Sequence, residues 1–227
     1  MANIRMFRRV GYALIAWIGL SVGTPALAQA TSRQCEDGGG KDDLPGPACL
    51  LSHQSLGKLG VDSVYWNLDK YPSVEAAQQD LVGSGSVVRA FGGIWLFTVG
   101  RSAPPPRNGE RVAQVGPIPV DKNTLYDAEF LKSTFSPGMT APLHVHSGPE
   151  AFYAVSGDSC LETPDGVQVG RGPGNTMVVR AGPPMLLMAP GPEPRKGFAL
   201  ILHDPSLAPT TLVHHWTPKG LCKVDVR

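Results

Sequence analysis

The stretch whose reading decides the fold runs Gly138-Met-Thr-Ala-Pro-Leu-His144-Val-His146-Ser-Gly-Pro-Glu150-Ala-Phe-Tyr-Ala-Val-Ser-Gly157. His144 and His146 are two residues apart, so on a β-strand both rings project from one face. Ser147-Gly148-Pro149 is turn-forming, and it brings the Glu150 carboxylate back towards the two imidazoles. Two neutral imidazoles and a carboxylate suit a divalent transition metal such as iron, manganese or zinc.

Taken together, these positions read as Gly, five residues, His-x-His, three residues, Glu, six residues, Gly. That pattern resembles the first motif of the cupin superfamily, with every fixed position filled. The resemblance implies an all-β fold, a double-stranded β-helix or jelly-roll barrel, with a divalent metal held by His144, His146 and Glu150. The family's second motif implies a further histidine, and here the chain departs from it. Gly174 and Gly182 match, while Arg180 stands in the proline position, Met185 in the histidine position and Ala189 in the asparagine position. The loop path is expected to persist without the third imidazole. Met185 then has two readings, a weak thioether at a fourth position on the metal or a flexible apolar filler. His203, or His214 and His215 if the tail folds over the barrel mouth, could supply a substitute nitrogen; a structural role is the alternative for all three.

Strand alternation places Phe152 and Ala154 on the inner face after Glu150, opposite Met185, Leu187 and Ala189. These would form an apolar pocket floor suited to a small, partly apolar organic molecule. A barrel that has lost its metal is the competing reading. Against it stands the cost of burying two histidines and a glutamate without a shared cation. Three functional classes follow: a metal-dependent oxygenase acting on a small organic substrate, a periplasmic binding or sensing protein without catalysis, and a protein with a vestigial site.

Composition fits an all-β fold. Of 227 residues, 27 are Gly and 22 Pro, and only 17% are charged, which suits short strands with many turns. The formal charge is +1; without Arg5, Arg8 and Arg9 it is +1 less 3, or −2. Neither value supports nucleic-acid binding. Those arginines precede an apolar run, Val10 to Gly23, and two small-x-small sites, Ala26-Leu27-Ala28 and Ala28-Gln29-Ala30. Residues 1–28 therefore read as a secretory signal, with a mature start at Gln29 or Thr31, no stable membrane anchor after cleavage, and the bacterial periplasm as destination. An uncleaved anchor is the alternative. In an oxidising compartment Cys35, Cys49, Cys160 and Cys222 favour two disulfides, read as Cys35–Cys49 and Cys160–Cys222. Three pairings are combinatorially open, and no Cys-x-x-Cys pair supports a cysteine-bound metal.

Working outward, residues 29–60 read as a disulfide-tied N-terminal extension, irregular around Leu50, Leu51 and Leu56 with one helical turn, and His53 as a lone surface or packing residue. Residues 61–123 read as additional strands: Val61–Leu68, a helix from Val74 to Leu81 capped by Ser73, Ser86–Ala90, Ile94–Val99, and an edge strand with Pro117 and Pro119. The barrel itself is expected over 124–216, its sheets extended by the N-terminal strands, and a tail over 217–227. Trp95 and Phe97 share a strand face as core residues. A small-molecule ligand is the expected partner, and a homodimer is compatible with the sequence.

Overall fold

A computed structural model of the chain describes residues 29–30, 33–35 and 44–225. Residues 1–28, expected to be a signal segment, Thr31 and the triple glycine at 38–40 lie outside the described residues. After the two short strands β1 (Gln29–Ala30) and β2 (Arg33–Gln34), the chain runs into a long strand, β3 (Gly46–Lys58). This corrects the irregular reading of residues 31–60: Leu50, Leu51 and Leu56 all lie in β3. The polar residues between them hid the pattern, because β3 is bulged at three points and its alternation slips each time.

Next comes a four-stranded sheet in the order β5-β6-β4-β7, formed by β4 (Ser63–Tyr71), β5 (Ser86–Ala90), β6 (Gly93–Gly100) and β7 (Glu110–Pro119). Helix α1 (Val74–Asp80) links β4 to β5; the Ser73 hydroxyl accepts from the Ala76 N–H at 3.1 Å, which satisfies one of its free N-terminal donors. Strand β7 pairs only with β4, so its prolines sit where no second ladder needs their missing N–H groups.

The remaining strands build the barrel. They are β8 (Leu125–Phe135), β9 (His144–Val145), β10 (Glu150–Ser156), β11 (Ser159–Thr163), β12 (Gly166–Gly170), β13 (Thr176–Val179), β14 (Leu186–Met188), β15 (Arg195–His203) and β16 (Thr210–Leu212). Their register describes one long hairpin, turned at Thr163–Gly166: β11 pairs with β12, β10 with β13, and His144 bridges to Met185. The hairpin is wound on itself, so each turn pairs with the next: β10 with β15, β11 with β14, β9 with β16. A hairpin wound in this way is a double-stranded β-helix. The turns of the second motif keep their glycines for a backbone reason, because Gly174 and Gly182 have φ of 82° and 97°.

The six-stranded sheet β13-β10-β15-β8-β3-β2 has two different faces. Tyr126, Phe130, Tyr153, Phe198 and Leu200 point outward and pack on Trp66, Leu68, Trp95 and Phe97 of the four-stranded sheet. Phe97 is central to this layer, 5.0 Å from Phe198 and 5.5 Å from Trp66 between ring centroids, both edge-on. The strands of 61–123 thus form their own sheet rather than extending the barrel sheets, where the one N-terminal addition of length is β3. On the opposite face, Phe135, Phe152, Met177 and Val179 fill the barrel with Leu161, Met185, Leu187 and Ala189.

Both expected disulfides are present. Cys35–Cys49 joins the N-terminal segment to β3, and Cys160–Cys222 ties the tail to β11, with Cα separations of 4.9 and 5.7 Å. The second is reinforced by Glu162, a fully buried carboxylate that accepts from the backbone N–H groups of Lys219, Leu221 and Cys222. Leu221 itself stays exposed, so the tail is held by polar contacts and the disulfide rather than by that side chain.

Candidate metal centre

His144 lies on β9, His146 follows it, and Glu150 opens β10 after the Ser147–Pro149 turn. All three are buried, and one ligand-type atom from each lies within 4.8 Å of the others. The two ring orientations are fixed by backbone carbonyls. His144 Nδ1 donates to the Pro142 carbonyl and His146 Nδ1 to the Pro209 carbonyl, each at 2.6 Å. A carbonyl can only accept, so both Nδ1 atoms carry the proton, and in the neutral rings both Nε2 atoms present lone pairs. This is the arrangement in which histidine ligands are held towards a metal.

His146 Nε2 and Glu150 Oε2 are 3.0 Å apart, yet neither makes a hydrogen bond with usable geometry, to the other or to any group of the protein. Two buried acceptors so close repel unless a proton or a cation lies between them. Neighbouring ligands on a tetrahedral metal, each at about 2.0–2.1 Å, sit about 3.3 Å apart, close to this spacing. The residues fit a divalent metal.

Without metal the site can hold a proton. Burial pulls the His146 pKa down, but the Glu150 carboxylate, the Pro209 carbonyl and the charge of Glu129 outweigh it, so the net shift is upward. His144 shifts the other way, because burial and the neighbouring His146 exceed the pull of Glu150 and Pro142.

Met185 stands beside His144: its N–H donates to the His144 carbonyl at 2.9 Å and the two residues are bridge partners. Its side chain is buried among Phe152, Leu161, Met177 and Leu187 in the barrel interior. Ala154 is also fully buried. The floor is not wholly apolar, however. Arg195, at the start of β15, is fully buried over Phe135 and Phe152; its Nε donates to Ser159 Oγ at 2.8 Å and its Nη1 to Ser133 Oγ at 3.3 Å. Burial lowers its pKa to about 10, against the opposing charge of Glu150. The sequence reading passed over Arg195 because arginine at a strand end is normally solvent-facing. Glu129 was missed as well, although carboxylates at 127 and 129, two apart on one strand, share a face.

The substitute histidines do not reach the triad. His214 and His215 are exposed. His203 groups instead with His53 and Asp127. His53 is correspondingly not alone, its Nε2 lying 3.0 Å from Asp127 Oδ2.

No protein-family model and no curated protein matches the sequence. Solved structures do match. A double-stranded β-helix domain protein from Klebsiella pneumoniae is 21% identical over 38% of this chain and 75% of its own, with a TM-score of 0.33. An oxalate oxidase is 20% identical over 38% of this chain, TM-score 0.33, and a cupin domain from Bordetella pertussis 19% over 33% of this chain and 80% of its own, TM-score 0.29. The match spans 46% of the oxalate oxidase chain, less than half of its length. With its wound hairpin this chain carries an all-β barrel, a double-stranded β-helix, and its first motif resembles that of the cupin superfamily.

Proposed function

We propose that this chain is an exported metalloprotein that holds iron, manganese or zinc through His144, His146 and Glu150, and that it acts as a metal-dependent oxygenase on a small organic molecule. The observation that carries the metal is the pair of buried atoms, His146 Nε2 and Glu150 Oε2, facing each other at 3.0 Å with no well-aligned hydrogen-bond partner in the protein, a place for a shared cation. Bound there, any of the three would supply Lewis-acid chemistry, and iron or manganese also the one-electron chemistry that an oxygenase needs, at the positions the protein leaves open. The carbonyls of Pro142 and Pro209 hold the rings in the ligating tautomer. Glu150 contributes the negative charge that offsets the cation. Met185 occupies the side where the family's third histidine would stand, which leaves that direction to a weak thioether or to a ligand. The buried Arg195 guanidinium keeps a positive charge within the barrel, and it favours an acidic or strongly polar group on the bound molecule.

Export is supported by the two disulfides, which persist in oxidising compartments. Among the described residues no helix is long and apolar enough to cross a membrane.

The missing third imidazole, with Met185 in its place, favours a second reading, a binding or sensing protein without turnover. The separating experiment is metal analysis of the exported protein followed by oxygen uptake with Fe(II) and small organic acids. Oxygen uptake lost in His144→Ala supports the oxygenase. Full metal occupancy with no uptake supports the sensor, and a protein that binds no metal refutes both.

A further inference from the structure

Apart from the triad, one other group of ligand-type side chains converges among the described residues: His53 on β3, Asp127 on β8 and His203 on β15. The three strands are neighbours in the six-stranded sheet, and His203 pairs directly with Asp127. Ile201, which pairs Glu150, lies two residues before His203, so the cluster shares the sheet's inner face with the triad but sits at its rim. Each residue offers a ligand atom within 4.8 Å of the other two.

The cluster repeats the chemistry of the first site. A histidine nitrogen lies 3.0 Å from a carboxylate oxygen, here His53 Nε2 and Asp127 Oδ2. A second imidazole has its Nδ1 turned to a backbone carbonyl, here His203 donating to Asp204 at 3.0 Å. The remaining nitrogen, His203 Nε2, is buried and has no partner, although His203 as a whole is only 5% exposed. The surface contact between His53 and Asp127 satisfies those two residues, but it leaves the His203 lone pair unexplained. Closing the group onto a metal needs ligand atoms about 3.3 Å apart. His53 is partly exposed, with 44% of its side chain open to solvent, and it can turn to provide that adjustment.

We infer that His53, Asp127 and His203 form a second cation site at the barrel rim, selective for a borderline divalent metal of the Zn(II) kind. Two imidazoles and one carboxylate favour such a metal over calcium or magnesium, which take oxygen ligands. Three protein ligands leave a fourth position open to solvent. The site is independent of the triad and does not require the activity proposed above.

The test is equilibrium dialysis of the chelator-stripped, disulfide-intact protein against Zn(II) at neutral pH, with metal counted per chain. The expected result is two equivalents for the unaltered protein and one each for His53→Gln and His144→Ala, with the double variant binding none. Asp127→Asn serves as a second rim variant, and circular dichroism confirms that each variant folds. If the unaltered protein binds one equivalent and His53→Gln loses it, the rim site stands and the triad reading fails. If that single equivalent is lost in His144→Ala, or if His53→Gln and Asp127→Asn both retain two, the rim site is refuted. Binding of no zinc refutes both.

Discussion

Restoring an imidazole at position 185 tests the candidate centre most directly. Bridge partners direct their side chains to the same face, so the residue at 185 projects beside the His144 ring. In Met185→His the new side chain enters a site that is 1% exposed and surrounded by Phe152, Leu161, Met177 and Leu187. Without metal, an imidazole there has no partner, and the variant should lose about 1–3 kcal/mol for a buried unsatisfied polar group. With metal, the new nitrogen becomes a ligand, and affinity should rise at least tenfold, about 1.4 kcal/mol. The assay is paired thermal unfolding and metal competition, with and without saturating Zn(II). The variant should melt below the unaltered protein when metal-free, and the gap should narrow or reverse when loaded. His144→Ala should weaken binding severely in either background. If Met185→His leaves affinity unchanged while His144→Ala abolishes it, residue 185 does not face the metal and the reasoning from its bridge fails. If neither substitution matters, the triad holds no metal.

Metal uptake should depend on pH above as well as below 6.5, because the raised His146 pKa means a proton must leave before metal enters; affinity should fall as pH drops through that raised value, with proton release seen in weakly buffered titrations. For the metal-free chain the signs oppose. His146 contributes stability that is complete below 6.5 and fades as pH rises through its raised value, while the depressed His144 removes stability as pH falls below 6.5, which urea midpoints across pH would report. Phe97→Ala should cost about 3–5 kcal/mol in chemical denaturation, since its ring joins the two sheets; a loss under 1 kcal/mol would mean that the layers do not depend on each other. Glu162→Gln should free the tail from residue 219 onward, measured as faster amide exchange at Leu221 and Cys222, while the disulfide stays intact. Mass spectrometry of exported protein should show a start at Gln29 or Thr31 and four fewer hydrogens than the all-thiol chain.

The local features of this fold were written in local sequence. The helix cap at Ser73, the Thr163–Gly166 turn and the prolines of β7 each depend on a few adjacent residues, and each formed as expected. The triad was legible for the same reason: His144, His146 and Glu150 lie within seven positions, so one strand and one turn suffice to bring them together. The disulfides were legible because four cysteines with no Cys-x-x-Cys pair, in a chain expected to be exported, have bridges as their default chemistry. Strand β3 was not, because its bulges break the two-residue period on which the reading depends. Nor was the division of the N-terminal strands into a sheet of their own, since alternation tells which residues turn inward but not which neighbouring strand they meet. Arg195 and Glu162 looked like surface charges until the fold enclosed them and supplied Ser133, Ser159 and the tail's N–H groups as partners. His53, Asp127 and His203 illustrate the limit most clearly. They are 74 and 76 residues apart along the chain, and only the pairing of β3, β8 and β15 places them side by side. Sequence determines a cluster whose members share a turn; a cluster whose members share only a sheet is decided by register, and register is set by the packing of the whole barrel.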